Sequence, residues 1–350
     1  MRNVLPLASM GCIAIIILGI LVGGVIMIGY GVNQFLEKEK HQDKDKQKSE
    51  QPAPGGPGDR PKAAQTLLEA RSNFKTNLRP SDLPSSNLVP AAVDGAQLVF
   101  YESGSRRLAA YLSNPIAGKQ PAVVWVHSEF GDIGPDDWKR AKRFQDADIV
   151  LMVPSFRGEN ADSSKFEMLY GEVEDLLAAV KFLAAQPGVD PDRIYVIGHD
   201  KGGTLALLAA TTGETRVRAF FSIVGLPNLE AFVAAGNQIK DPTPPFDPKR
   251  AGELHLRSAQ PFAGAIRTPT FYFGVGLDDI ASKQARDMLV QAASTSPRVP
   301  FKAFGYGQAT RANILGPVIG FIAGKIVADK DRGSAFTIED SETKGLFPKK

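Results

Sequence analysis

Ile194-Tyr195-Val196-Ile197-Gly198-His199-Asp200-Lys201-Gly202-Gly203-Thr204-Leu205-Ala206-Leu207-Leu208-Ala209-Ala210 is the stretch from which the rest of the chain can be read. Ile194 to Ile197 is a short apolar run with β-branched residues, the pattern of a buried strand. It stops at Gly198, and small and apolar residues resume at Gly202 with helical spacing. The pattern predicts strand, tight turn, helix. The glycines let strand and helix approach closely. The residue between them, Asp200, is then held in a strained turn with its side chain exposed above the strand end.

The flanking segments agree with this reading. Upstream stand Glu174-Asp175-Leu176-Leu177-Ala178-Ala179-Val180 and Gly188-Val189-Asp190-Pro191-Asp192-Arg193-Ile194. With Gly198-His199-Asp200-Lys201-Gly202-Gly203 they resemble the catalytic core of the prolyl-oligopeptidase-like branch of the α/β-hydrolases. There the segments read D-x-x-A-A, V-D-P-x-R-I and G-H-S-x-G-G. The resemblance is specific from Tyr170 to Ala210 and continues in order from about Leu98 to Val327. It implies a serine nucleophile at the tip of a G-x-S-x-G elbow. Asp200 stands in that place.

The periodicity of the remaining chain is consistent with such a fold. Leu98 to Glu102 and Arg107 to Leu112 read as antiparallel strands around Ser103-Gly104-Ser105. Further strands are expected at Pro121–His127, Asp148–Pro154, Ala219–Gly225, Thr270–Val275 and Phe301–Phe304. Helices are expected at Trp138–Phe144, Tyr170–Ala185, Ser282–Ala292 and Ile314–Val327. Strands alternating with helices through short loops indicate an α/β fold with a mostly parallel, doubly wound sheet. Pro227 to Gly264, rich in Pro and polar residues, interrupts the alternation as a small excursion over the active-site edge.

Acyl transfer on this fold needs a nucleophile, a histidine base, an acid to orient it and backbone donors for the oxyanion. The acid position follows the strand Thr270–Val275, where Gly276-Leu277-Asp278-Asp279 resembles the family's G-x-x-D-D; Asp278 is the first choice and Asp279 the second. The histidine position falls in the loop from Phe304 to Asn313, which contains no histidine. Depending on register it holds Gln308 or Arg311, and neither is a base near neutral pH. The chain has four histidines, and none follows His255. His127 and His199 read as structural, and His255 lies in the excursion. The oxyanion loop is Ser128-Glu129-Phe130-Gly131, with the Lys201 amide as the second donor. Glu129 and Asp200 make the expected cleft acidic, with Lys201 and Arg157 as candidate counter-charges. Ser155 to Asn160 resembles the family's Arg-Gly loop, a scaffold feature.

The N-terminal region reads differently. Asn3 to Leu36 contains no charged residue, and Met10 to Tyr30 is dense in Ile, Leu, Val and Gly. This meets the roughly 20 residues needed to cross a bilayer and is longer than the apolar core of a signal peptide. Residues 1–36 are therefore expected to be an N-terminal transmembrane anchor and the protein a single-pass membrane protein. The lysines after the span favour a cytoplasmic domain by the positive-inside rule, but interleaved acids weaken that bias, and the reading adopted is extracytoplasmic. Residues 37–95 are charged, then Pro/Gly-rich, and read as a flexible linker, with a short helix possible from Gln65 to Phe74. The hydrolase-like domain is expected over 96–330 and a polar tail over 331–350.

Composition excludes little else. The net charge is +3, from 41 Lys and Arg against 38 Asp and Glu, and Cys12 is the only cysteine. No intramolecular disulfide is possible, and no basic aromatic patch suggests nucleic acid. No metal site and no cofactor are expected. Aspartate cannot replace serine in ester or peptide cleavage, because its attack gives a labile anhydride. The expected function is that of a membrane-anchored, catalytically impaired hydrolase-like protein that binds a peptide or small molecule. The alternative is an active hydrolase, with either a rearranged triad or an Asp nucleophile as in haloalkane dehalogenases.

Overall fold

Alternate residues of the strand Gln120–Val126 serve two different cores. Ala122, Val124 and Val126 join one, and Val123 and Trp125 the other, as the two-residue period of a strand requires. A computed structural model describes residues 64–80, 82–83, 88–162, 165–214, 216–240, 242–276, 279–295, 301–331 and 333–347. In chain order these form α1 (Leu67–Arg71), β1 (Ala96–Ser103), β2 (Arg106–Ser113), β3 (Gln120–Val126), α2 (Pro135–Gln145), β4 (Val150–Pro154), α3 (Glu172–Ala184), β5 (Val189–His199) and α4 (Lys201–Ala210). There follow β6 (Ala219–Ile223), α5 (Leu229–Ala234), β7 (Thr270–Val275), α6 (Ile280–Thr295), β8 (Phe301–Tyr306), α7 (Leu315–Ala328) and α8 (Asp340–Thr343).

The eight strands form one sheet in the order β1-β2-β4-β3-β5-β6-β7-β8. β2 runs antiparallel to β1 and to β4, and every pair from β4 to β8 is parallel. The expected mostly parallel sheet is therefore present. α3 contributes Val173, Leu176, Ala179, Val180 and Leu183 to the core on one face, together with residues of α4 and α6. α2 and α7 cover the other face through Trp138, Ala141, Phe144, Val318 and Ile322. Each such Val or Leu stabilises the fold by about 1.5–3 kcal/mol relative to exposure. In register, Val126 lies opposite Gly198 and Gly198 opposite Ser222. The carboxyl ends of β3, β5 and β6 thus meet at one edge, where ligands bind in open α/β sheets.

Two segments expected to lie outside the folded domain pack onto it. Residues 64–80, read as the end of a linker, carry α1. Its Thr66 cap accepts from the Glu69 amide (3.2 Å), while the Glu69 carboxylate accepts from the Thr66 amide (2.7 Å). Leu67 is fully buried and its amide donates to the Thr211 carbonyl at 3.1 Å. The segment read as a polar tail buries Phe336 and Ile338. The Phe336 ring sits 5.6–5.7 Å from those of Tyr195, Phe221 and Phe271. In both places a few apolar side chains dock an otherwise polar stretch, and in the first the buried Arg71 adds hydrogen bonds to the Tyr170 and Leu256 carbonyls. The expected anchor and residues 37–63 lie outside the described residues. No helix among the described residues is long and apolar enough to cross a membrane.

Candidate active site

β5 delivers the chain into the turn predicted for it. Asp200 has φ 52° and ψ −115°, a conformation that L residues adopt only under strain. The turn closes because a Cβ on Gly198 would lie 2.0 Å from the Gly202 carbonyl oxygen, and one on Gly202 would lie 2.3 Å from that of Val126. Asp200 precedes α4 yet its side chain makes no capping hydrogen bond there. Its amide donates to the Ile223 carbonyl at 2.9 Å, fixing the tip over β6.

The Asp200 carboxylate faces Arg311 instead. Arg311 Nη1 lies 3.6 Å from Asp200 Oδ1, and Arg311 Nη2 lies 3.3 Å from Asp279 Oδ1. Arg311 Nη1 also donates to the Val224 carbonyl at 3.2 Å. Asp279 in turn accepts at Oδ2 from the Ser282 amide at 3.0 Å. Of the two residues expected for the histidine position, Arg311 reaches the elbow, whereas Gln308 lines a separate depression with Tyr306 and Phe347. Of the two expected acids, Asp279 is in contact with Arg311, and Asp278 lies outside the described residues. Partial burial raises the Asp200 carboxyl above the usual range, and Arg311 acts against that rise.

The loop after β3 lies beside the elbow. Lys201 pairs with Glu129, so the Glu129 charge expected in the cleft is answered there. The Lys201 ammonium also lies 5.4 Å above the Phe130 ring. Ser128 is buried and its Oγ accepts from Arg140 at 3.1 Å. The loop is fixed from beneath by His127, whose Nδ1 donates to the Glu129 carbonyl at 2.6 Å. Its Nε2 lies 3.2 Å from the Glu159 carboxylate. Burial opposes the charge on this ring, but Glu159 outweighs it and pushes the imidazole up to about 9. Glu159 also accepts from the Phe156 amide at 2.8 Å and the Gly131 amide at 3.3 Å.

The two other described histidines are His199 and His255. His199 is driven down to about 4 by burial and by Arg140 and Arg311, and both its ring nitrogens are buried without a hydrogen-bond partner among the described residues. His255 pairs with Glu230 at 3.0 Å and packs edge-on against Phe262. Arg157, expected as a counter-charge in the cleft, is instead buried in the scaffold. It chelates the fully buried Asp175 through Nε and Nη2, both at 2.8 Å, and reaches Glu167 at 2.7 Å. A guanidinium satisfied this fully has nothing left for the cleft.

A cavity of about 190 Å³ opens next to Asp200. That is below the roughly 300–1,000 Å³ of sites for drug-sized ligands, so it suits a single side chain. Phe130, Leu226, Leu229, Phe232 and Ile239 give it apolar walls, and Lys201 and Lys240 stand at it with Asp200. The excursion thus supplies one side of the cavity. The other side is Met168 and Leu169, both buried, at φ 50° and 66°. Left-handed backbone costs a non-glycine residue about 1–2 kcal/mol. Sequence reading missed this wall. Neither residue is Gly, Asn or Asp, so composition carries no signal for positive φ.

Comparison with known proteins agrees with this fold. Residues 137–248 match the profile of the prolyl oligopeptidase family. The chain has the α/β-hydrolase fold. One curated relative is the uncharacterized peptidase YtmA of Bacillus subtilis, 23% identical over 132 residues, which are 37% of this chain and 51% of that one. The chain spans about half the length of that curated relative. Among solved α/β-hydrolase folds, the acylaminoacyl peptidase of Pyrococcus horikoshii aligns with a TM-score of 0.57 at 14% identity, covering 70% of this chain and 43% of that one. A puromycin-hydrolyzing peptidase of Mycobacterium tuberculosis gives 0.54 at 19%, with 67% and 39% covered. A hyperthermophilic esterase of Pyrobaculum calidifontis gives 0.51 at 17%, with 68% and 86% covered.

Proposed function

We propose that this chain is a catalytically impaired α/β-hydrolase of the prolyl oligopeptidase type, tethered to a membrane by its N-terminal apolar run and acting as a binding domain. The observation that carries the reading is the chain of charges Asp200, Arg311, Asp279 where a nucleophile, base and acid would stand. Removing one member of a Ser-His-Asp triad already costs several powers of ten in rate. Here both the nucleophile and the base positions differ. A carboxylate nucleophile would still need a base to activate the water of its second step, and a guanidinium does not deprotonate. The ligand is a peptide or small molecule that places one apolar group in the cavity beside Asp200. Our reading of the topology puts the domain outside the cytoplasm, and protease accessibility in intact cells tests it.

The activity test uses the full chain in detergent with aryl esters and aminoacyl amides, wild type beside Asp200→Ser. Neither protein is expected to turn over, because Asp200→Ser leaves Arg311 in the base position. Turnover by the wild type, lost in Asp200→Asn together with a covalent adduct on Asp200, would replace this reading with an Asp-nucleophile hydrolase.

A further inference from the structure

The strained wall of the cavity is held by residues far away in sequence. Four consecutive carbonyls, from Glu167 to Tyr170, are all taken by two buried guanidiniums. Arg257 Nη2 donates to the Glu167 carbonyl at 3.0 Å and Arg257 Nε to that of Met168 at 2.9 Å. Arg71 Nη2 donates to the Leu169 carbonyl at 2.9 Å and Arg71 Nη1 to that of Tyr170 at 2.7 Å. The amides at the two ends, Glu167 and Tyr170, donate to the Glu172 carboxylate at 2.7 and 2.9 Å. The bend therefore persists at Met168 and Leu169 because its surroundings over-determine it.

One of the two arginines belongs to the segment that precedes the sheet, and the other is steered by that segment. Beyond the wall, Arg71 bridges to the Leu256 carbonyl at 2.6 Å. Thr76 Oγ1 accepts from Arg257 Nη2 at 3.0 Å and donates to the Glu253 carboxylate at 2.8 Å. Glu253, fully buried, is the ion-pair partner of Arg257 at 2.6 Å and also accepts from the Asn77 amide at 3.2 Å. The Phe74 carbonyl accepts from the Tyr170 hydroxyl at 3.0 Å.

We infer that residues 66–77 form a strap whose docking sets the shape of the cavity beside Asp200, so that displacing the strap releases Met168 and Leu169 and deforms the cavity. This rests on the reading of that cavity as the ligand site, and makes the strap its regulator. A ligand that needs the strained wall binds only the docked state, and by reciprocity holds the strap down. The strap leads directly back to the segment expected to tether the domain. A pull along that tether would act on the docked Leu67 before it reached Arg71 and Thr76.

Thr76→Val in the full chain tests this, because Thr76 makes no hydrogen bond to the wall and can act on it only through Arg257 and Glu253. Arg71→Met is the stronger companion. Amide hydrogen exchange is read at Glu167 and Tyr170, with Val196 and Ile197 of β5 as internal reference. Hydrogen bonds to charged groups predict a rise of about ten- to a hundred-fold at Glu167 and Tyr170 in Arg71→Met, a smaller rise there in Thr76→Val, and no change in β5. Unchanged exchange at Glu167 and Tyr170 in Thr76→Val overturns the proposal. So does a rise of equal factor in β5, which would mark general loss of stability. Should Arg71→Met fail to fold, Thr76→Val still decides. No ligand or substrate enters the measurement, so its failure and a failure of the proposed function remain distinguishable.

Discussion

Arg311 lies 3.6 Å from Asp200 and 3.3 Å from Asp279, bridging the elbow to the end of β7 with one permanently charged group. A histidine in this place would exchange protons near neutral pH, whereas a guanidinium can only hold two carboxylates and a carbonyl in position. Under the proposed function, this arrangement keeps the outline of a triad without its proton chemistry.

Removing this bridge should have electrostatic rather than structural consequences. Arg311 and Asp200 are each 44% exposed at the side chain, so solvent screens the pair and Arg311→Ala should change stability by less than about 1 kcal/mol. The Asp200 carboxyl, already raised by burial, should titrate at higher pH once the guanidinium that opposes the rise is gone. Carbon-13 spectra of aspartate-labelled protein would show this. An unmoved Asp200 titration would mean that the two groups are not coupled.

Strain at the elbow predicts a stabilising substitution. Asp200→Gly relieves a cost of about 1–3 kcal/mol and adds about 0.5–1 kcal/mol of unfolded-state entropy. The net expectation is a gain near 1 kcal/mol in urea unfolding. Gly202→Ala should do the reverse, losing at least about 2 kcal/mol, because the new methyl would meet the Val126 and His127 carbonyl oxygens at 2.3 and 2.4 Å.

His127 makes stability depend on pH in a defined direction. Its imidazole is raised from the ordinary 6.5 to about 9 in the fold. The folded state therefore binds a proton that the unfolded chain releases. The resulting stabilisation, on the order of 3 kcal/mol, is complete below pH 6.5 and lost as pH rises through 9. Urea midpoints should fall across that window in the wild type and fall less in His127→Gln. Parallel profiles would show that Glu159 does not hold the ring charged.

The scaffold around Asp175 should be intolerant of added bulk. A Cβ at Gly171 would lie 1.5 Å from Arg157 Nη1. Gly171→Ala must displace that guanidinium and leave the fully buried Asp175 without its ion-pair partner. Breaking a buried pair on one side costs about 3–5 kcal/mol. Loss of soluble protein, or a midpoint shift of that size, is the expected result, and a neutral variant would show that Arg157 has another rotamer available.

The sheet and the elbow were legible because they rest on local rules. Val123 to Val126 and Ile194 to Ile197 are apolar runs of strand length, and Gly198 and Gly202 flank a turn that only glycine permits at those two places. Arg311 could be narrowed to one of two residues by its place after the last strand. The docking of the two outer segments could not be read, since Leu67-Leu68 and Phe336 with Ile338 are short apolar groups within polar stretches and find their pockets only in the assembled fold. The bend at Met168 and Leu169 was illegible for a stronger reason. Its cause lies in side chains at positions 71, 172 and 257, and no local window contains them.

The contact between Arg71 and Leu256 spans 185 residues of chain. During synthesis, α1 leaves the ribosome while the sheet it will rest on is still unmade, and its arginine lacks the Leu256 part of its seat until the 253–257 turn has followed. Contacts of such separation form late, after loop closure has been offset by the rest of the core. The wall beside Asp200 therefore cannot take its final form before residues up to Arg257 have been made. A nascent chain can complete β5 and the elbow turn well before it owns a finished cavity.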